Sequence, residues 1–309
     1  MKNTFLWIAF LIFAGCSKDN NEPEKVYELV KEELDVSYGD NLSQTMDVYF
    51  PEGYDQNTPV VFLIHGGGFI AGAKEHFTPV AKLFVAKGFV AVNLNHRLID
   101  ATGLEQQPPL HKLSAIKVVD QVDDMASAVE KFKASANGWG IGTSRMYMAG
   151  HSAGGTLAML YVQGSKNNGI RASGNLAGLA NVTLTEELYN NPPDHEYWPA
   201  VKELLYRMSG HEVNHSNALA LMAISPNWVS NNNKPAKPNI TVMAKSNDRD
   251  LQFEPYFNTV KDAEDYHNQL RSYDTSSAYI LMDTDHGFGN HPDDWSKAVG
   301  YTADFFKKN

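Results

Sequence analysis

The sequence predicts an α/β protein with a mostly parallel central sheet and helices on both faces. Three observations predict it. Short β-rich runs alternate with longer amphipathic ones, the pattern of strands joined by crossover helices. Val60–Ile64 is a continuous apolar run, VVFLI, as expected of a strand buried on both faces. RMYMA at 145–149 runs straight into Gly150-His151-Ser152-Ala153-Gly154-Gly155 and then into the apolar TLAMLYV, so a strand turns sharply into a helix.

The elements follow in order. Gln44–Phe50 reads as a strand closed by Pro51, and VVFLI as the next. Thr78–Lys87 reads as a helix ending at Gly88, and Phe89–Asn93 as a strand. Lys117–Ala136 has apolar residues at helical spacing and contains neither Gly nor Pro. Arg145–Ala149 is a strand and Thr156–Val162 a helix. Ile240–Ala244 and Ser277–Met282 are two late strands, and Trp295–Phe306 is the closing helix. Asn231–Asn233 with Lys234, Pro235 and Pro238 reads as a loop. Thr183–Ser216 breaks the alternation and reads as an insertion above the sheet.

Composition narrows the function. At 309 residues and 43% hydrophobic, the chain can bury a sizeable core. One cysteine excludes a disulfide framework. Lys+Arg 26 against Asp+Glu 36 gives a net charge of −10. That argues against a nucleic-acid partner, whose phosphates call for a basic surface. It suits neutral small molecules or polysaccharides.

The first residues, MKNTFLWIAFLIFAGCSKDNNE, carry Lys2 and a short apolar run from Phe5 to Phe13. The run is shorter than the ~20 residues of a spanning helix and suits the apolar part of an export signal. Ala14-Gly15 before Cys16 resembles a bacterial lipobox. The resemblance implies a signal peptide over 1–15, cleavage before Cys16 and lipidation of its thiol. A polar tether over 16–24 would then join a membrane lipid anchor to a domain over 25–309. Ser17-Lys18-Asp19 resembles surface-export tags of some Gram-negative lipoproteins, so the expected location is the outer membrane.

The chemistry is read from the elbow. G-x-S-x-G between a strand and a helix holds a serine at a sharp turn with its hydroxyl out of the sheet. Ser152 is that serine. A hydroxyl is a weak nucleophile and needs a base. At such an elbow the partners follow in chain order, acid and then histidine. His286, in Asp283-Thr284-Asp285-His286-Gly287-Phe288 directly after SAYILM, is the base, with His291 the weaker alternative. Asp248, after ITVMA, is the acid, with Asp250 its rival. His65-Gly66-Gly67-Gly68-Phe69 after VVFLI is a glycine turn able to aim N–H groups inward. The Ala153 N–H completes the oxyanion site. This glycine turn lacks the Lys-Ser/Thr of a phosphate loop.

Together these motifs resemble the α/β-hydrolase superfamily. HGGGF is similar to the oxyanion motif of its hormone-sensitive-lipase-like and carboxylesterase branch. Tyr38-Gly39 and Met46–Pro51 resemble the first strands of small bacterial esterases near feruloyl and acetylxylan esterases. Asn95-His96-Arg97-Leu98 resembles their strand-end N-Y-R-L, with His96 where Tyr is common, and Asp123-Asp124, Ser225-Pro226 and Pro238 also fit. The resemblance implies that Gly67 and Gly68 donate to the oxyanion. It implies an acid in a His-Gly-x-x-Asp turn, where this chain has Lys245-Ser246-Asn247-Asp248.

His211-Glu212-Val213-Asn214-His215 matches the zinc-protease pattern H-E-x-x-H, which needs both histidines on one helix face. Gly210 before it, and a helix read as starting after Ser216 as N-cap, make it a solvated loop. Asp194-His195-Glu196 also reads as loop. No metal and no cofactor is expected. The expected activity is that of a serine carboxylic ester hydrolase, releasing acetyl or feruloyl groups from polysaccharide. A broad short-chain carboxylesterase and a serine peptidase are the alternatives, and a non-catalytic binding module is a third.

Overall fold

Residues 25–164, 168–184, 196–245 and 259–309 are described in a computed structural model, and among them eight strands form one sheet of order β1-β2-β4-β3-β5-β6-β7-β8. The strands are β1 (Leu29–Ser37), β2 (Thr45–Pro51), β3 (Val60–Ile64), β4 (Val90–Leu94), β5 (Met146–His151), β6 (Ile170–Leu176), β7 (Asn239–Ala244) and β8 (Ser277–Met282). β1 pairs antiparallel with β2, and β2 with β4. The other neighbours are parallel. The predicted mostly parallel sheet is therefore the observed one.

Helices cover both faces: α1 (Lys74–Ala86), α2 (Val118–Trp139), α3 (Ala153–Gly164), α4 (Trp198–Ser209), α5 (Ala218–Met222), α6 (Pro226–Asn232), α7 (Thr259–Ser272) and α8 (Asp294–Lys308). The two-sided burial read from VVFLI is explicit in β3. Val60, Phe62 and Ile64 enter the apolar cluster shared with α2, α3 and α4. Val61 and Leu63 enter the cluster shared with α1 and α8. Such alternation is the period of a strand, and both phases are apolar because both faces are covered. α3, buried along nearly its whole length, is apolar all round for the same reason.

Several elements depart from the sequence reading. α1 starts at Lys74, four residues before Thr78. Burial disfavours the Lys74 charge, but Asp47 at 2.9 Å, with Asp35 and Glu75, holds its ammonium protonated. β1, β6 and α7 have no counterpart among the elements read from the sequence. α6 takes in Asn231 and Asn232, which read as loop. Ser216 is not an N-cap: it lies inside a 3-10 turn, His215–Asn217, and the Asn214 side chain accepts from the Asn217 N–H. Of the expected insertion, 185–195 lie outside the described residues, and α4 occupies much of the rest. Residues 1–24, with Cys16, the signal and the tether, also lie outside them. No helix among the described residues is long and apolar enough to cross a membrane.

Candidate active site

Register places the site. Ile64 pairs with Gly150 in the parallel β3–β5 ladder, so the glycine turn after β3 and the serine turn after β5 leave the sheet side by side. Both sit at strand C-terminal ends, where open α/β sheets bind ligands.

Ser152 has φ 53°, a left-handed conformation in a non-glycine residue, which costs on the order of 1–3 kcal/mol. The Ser152 N–H donates to the Leu176 carbonyl at 2.8 Å, and the first turn of α3 closes on its own carbonyl through Gly155 and Thr156. Gly154 has to be glycine, because a Cβ there would lie 2.2 Å from the Ile64 carbonyl oxygen and 2.5 Å from that of His65. The strained turn thus packs directly on the end of β3.

His286 comes from the loop after β8. Its Nε2 lies 2.9 Å from Ser152 Oγ, the pair that nucleophilic catalysis by serine requires. The loop is fixed from two sides. His151 Nε2–H donates to the His286 carbonyl at 2.7 Å, and burial lowers the His151 pKa, so that ring is neutral with its proton on Nε2. Phe288, buried, packs on His151 and on Trp295 of α8. His291, the alternative base, is an exposed residue whose backbone N–H donates to Asp294. Asp248 and its rival Asp250 lie outside the described residues.

In the glycine turn, three successive residues have positive φ: Gly67 125°, Gly68 60° and Phe69 69°. The Gly67 carbonyl turns away to accept from the Ile70 and Ala71 N–H groups. Among the described residues, neither the Gly67 nor the Gly68 N–H donates to a backbone carbonyl. Ala153 opens α3, so its N–H has no intrahelical acceptor. The far end of the turn is tied down: Ile99 N–H and the buried Gln121 carboxamide both donate to the Phe69 carbonyl, at 3.1 and 2.9 Å. Gln121 Nε2 also reaches the Arg97 carbonyl at 2.9 Å, and the Arg97 guanidinium grips the buried Asp124 carboxylate at 2.6–3.1 Å. Beneath the turn, His65 and His96 stack with ring centroids 4.6 Å apart. Burial lowers both pKa values, that of His96 to about 3 with the help of His65.

An apolar cavity of about 80 Å³ opens beside Ser152. Gly68, Phe69 and Ala153 form one side, Leu179 and Val182 another, and Val201, Leu204, Leu205 and Met208 of α4 the rest. The sequence reading missed these α4 residues and His151, although the 3-1-3 spacing of the apolar α4 positions marks a helix face. H-E-x-x-H is not helical: His211 lies in a bend, His215 in the 3-10 turn, and the Glu212 carboxylate faces His111 at 3.2 Å. Asp194 and His195 lie outside the described residues.

The BD-FAE family model matches residues 46–191. Carboxylesterase NlhH of Mycobacterium tuberculosis is 30% identical over 148 residues, 48% of this chain and 42% of that protein. The chain therefore matches less than half the length of that relative. A truncated carbohydrate esterase from gut microbiota superposes with a TM-score of 0.68 at 15% identity, covering 92% of this chain and 97% of its own. Esterase 2 of Thermogutta terrifontis gives 0.65 at 18% identity, covering 91% and 96%. Sheet order, the strained serine turn and these superpositions over 91–92% of the chain agree: the chain has the α/β-hydrolase fold.

Proposed function

We propose that the protein is a serine carboxylic ester hydrolase. The observation that carries this reading is the 2.9 Å contact between Ser152 Oγ and His286 Nε2 on a strained strand-to-helix turn. Ser152 attacks the ester carbonyl as His286 Nε2 takes its proton; the developing oxyanion accepts from the Gly67, Gly68 and Ala153 N–H groups. His286 then protonates the leaving alcohol. In the second half it deprotonates the water that cleaves the acyl-enzyme. For Nε2 to accept, the neutral ring carries its proton on Nδ1. Asp248 is the acid that holds that tautomer and stabilises the imidazolium.

The substrate is an acetyl or feruloyl ester of a polysaccharide. The acidic surface suits a neutral polymer, and the superposition on a gut carbohydrate esterase supports it. Of the two acyl groups the cavity favours acetyl. Its walls are apolar apart from the serine and backbone groups, and burying a phenol hydroxyl without a partner costs roughly 1–3 kcal/mol. A broad short-chain carboxylesterase is the second reading, favoured by the same apolar walls and by the likeness to NlhH. Acetylated xylan, methyl ferulate and a p-nitrophenyl ester series separate them. Acetate release from xylan, with little ferulate release, supports the first reading. Turnover of soluble short-chain esters alone supports the second, and no ester turnover removes both.

The protein is further proposed to be held at the outer membrane through lipid on Cys16. Two or three acyl chains at about 0.8 kcal/mol per buried methylene bind far beyond a single chain. Cys16→Ser should move the protein from the membrane fraction to the soluble fraction. Unchanged fractionation would exclude this anchor.

A further inference from the structure

We propose that the buried Arg207–Glu203 pair sets acyl selectivity by holding α4 in place from behind the cavity. The inference rests on the ester-hydrolase reading and adds to it a positioning residue. Arg207 is fully buried. Its Nε donates to Glu203 Oε1 at 2.7 Å, Nη1 to the carbonyls of Asp100 and Thr102 at 2.7 and 3.0 Å, and Nη2 to the Leu110 carbonyl at 2.6 Å. Glu203 in turn accepts from the Lys112 N–H at 3.0 Å and faces His111 Nδ1 at 3.0 Å. Two side chains one helical turn apart therefore bind the 100–112 segment through three carbonyls, one N–H and one imidazole.

The other side of the same helix forms the cavity wall. Val201, Leu204, Leu205 and Met208 face Ser152 across the apolar space. At about 100° per residue these four share one face, and Glu203 and Arg207 are centred roughly 130° round the helix from it, with Arg207 nearest to Leu204. α4 is thus held between the cavity and the 100–112 segment. Apolar contacts on the cavity side permit sliding and small rotations. A guanidinium fork held by three carbonyls of the 100–112 segment and oriented by Glu203 of its own helix does not, because each hydrogen bond is directional. The depth and width of the cavity depend on where α4 sits, so the fork acts on the substrate through the helix. A polymer alcohol is too polar and too large for this space, which leaves the acyl group as the part that reads it.

The test compares the full chain with Arg207→Met and Arg207→Lys. Active sites are titrated with a phosphonate, and kcat and KM are measured for p-nitrophenyl acetate, butyrate, hexanoate and octanoate. Thermal midpoints are recorded in parallel. In Arg207→Met the octanoate-to-acetate ratio of kcat/KM should rise by about tenfold or more, chiefly through KM, with kcat per titrated site within about threefold of the parent. Arg207→Lys keeps a cation opposite Glu203. One ammonium cannot reproduce the planar fork, so the ratio should shift the same way by a smaller factor. If Arg207→Met does not fold, the lysine variant decides. A lowered thermal midpoint with an unchanged chain-length profile would make the pair structural only and overturn the inference. So would a fall in kcat at constant KM and constant profile. Both outcomes presuppose an active parent; a parent inert on all four esters would overturn this inference, and one inert on acetylated xylan and methyl ferulate as well would overturn the ester-hydrolase reading.

Discussion

Replacing His96 with phenylalanine should remove a pH-dependent part of the stability. In the folded protein burial, and then the ring of His65 stacked at 4.6 Å, push the His96 pKa down from 6.5 to about 3. Below pH 6.5 the unfolded chain therefore takes up a proton that the folded chain refuses. Stability contributed by neutral His96 is complete above 6.5 and is lost as pH falls toward 3. At about 1.4 kcal/mol per pKa unit, the loss between pH 7.5 and pH 5 is about 2 kcal/mol. Phenylalanine keeps a flat ring on His65. It deletes the Nδ1 hydrogen bond to the Arg97 carbonyl, but that carbonyl still accepts from Gln121. Urea unfolding of parent and His96→Phe at the two pH values isolates the contribution, since all other histidines are shared. The parent should lose about 2 kcal/mol more than the variant on acidification. An equal loss in the two proteins would refute the assignment of His96 as a neutral, buried base.

The glycine turn gives a sharper contrast. At Gly67, φ 125°, a Cβ would sit 2.1 Å from the Ala71 carbonyl oxygen. Gly67→Ala should therefore lower kcat by about 10²-fold or more, as loss of an oxyanion donor does. At Gly68, φ 60°, the nearest atom to a Cβ is Ile70 Cγ1 at 3.9 Å, and the left-handed conformation alone costs about 1–2 kcal/mol. Gly68→Ala should keep kcat within about tenfold, and the reverse ranking would show that the turn is misread. Asp248→Asn should be more damaging to kcat than Asp250→Asn; the opposite order would move the acid by two residues. A chelator should leave ester hydrolysis unchanged, and His211→Ala with His215→Ala should stay active. Chelator-sensitive turnover restored by zinc would overturn the metal-free mechanism.

The catalytic motifs were legible because they sit where the hydrophobic period changes. VVFLI and RMYMA are read as strands from their apolar runs, and the glycines just beyond them mark the turns. Ser152 and His286, far apart in sequence, are brought to 2.9 Å by those strands. β6 escaped notice because its buried Ser173 and Asn175 look like loop residues. Each is satisfied internally, Ser173 by Asn239 and Asn175 by the Gly178 backbone. β1 lies at the sheet edge with half-exposed alternation. α1 starts four residues before Thr78 and takes Pro79 into its sixth position, although proline favours a first helical turn. α7 carries its buried residues at Thr259, Ala263, Tyr266 and Leu270, a helical spacing set among many charges. Arg207 and Glu203 are charged side chains that lie buried. Only the long-range approach of the 100–112 segment buries them, and no local pattern encodes that.

The most direct test of the nucleophile is covalent capture. The parent and Ser152→Ala are treated with a fluorophosphonate, digested and mapped by mass spectrometry, and ester turnover is followed on the same samples. One phosphonyl group per parent molecule is expected, on the peptide containing Ser152, with turnover lost in step with labelling. Ser152→Ala should take no label and show no turnover. Label on a different residue, or a Ser152→Ala protein that still hydrolyses esters at near the parent rate, would contradict Ser152 as the nucleophile.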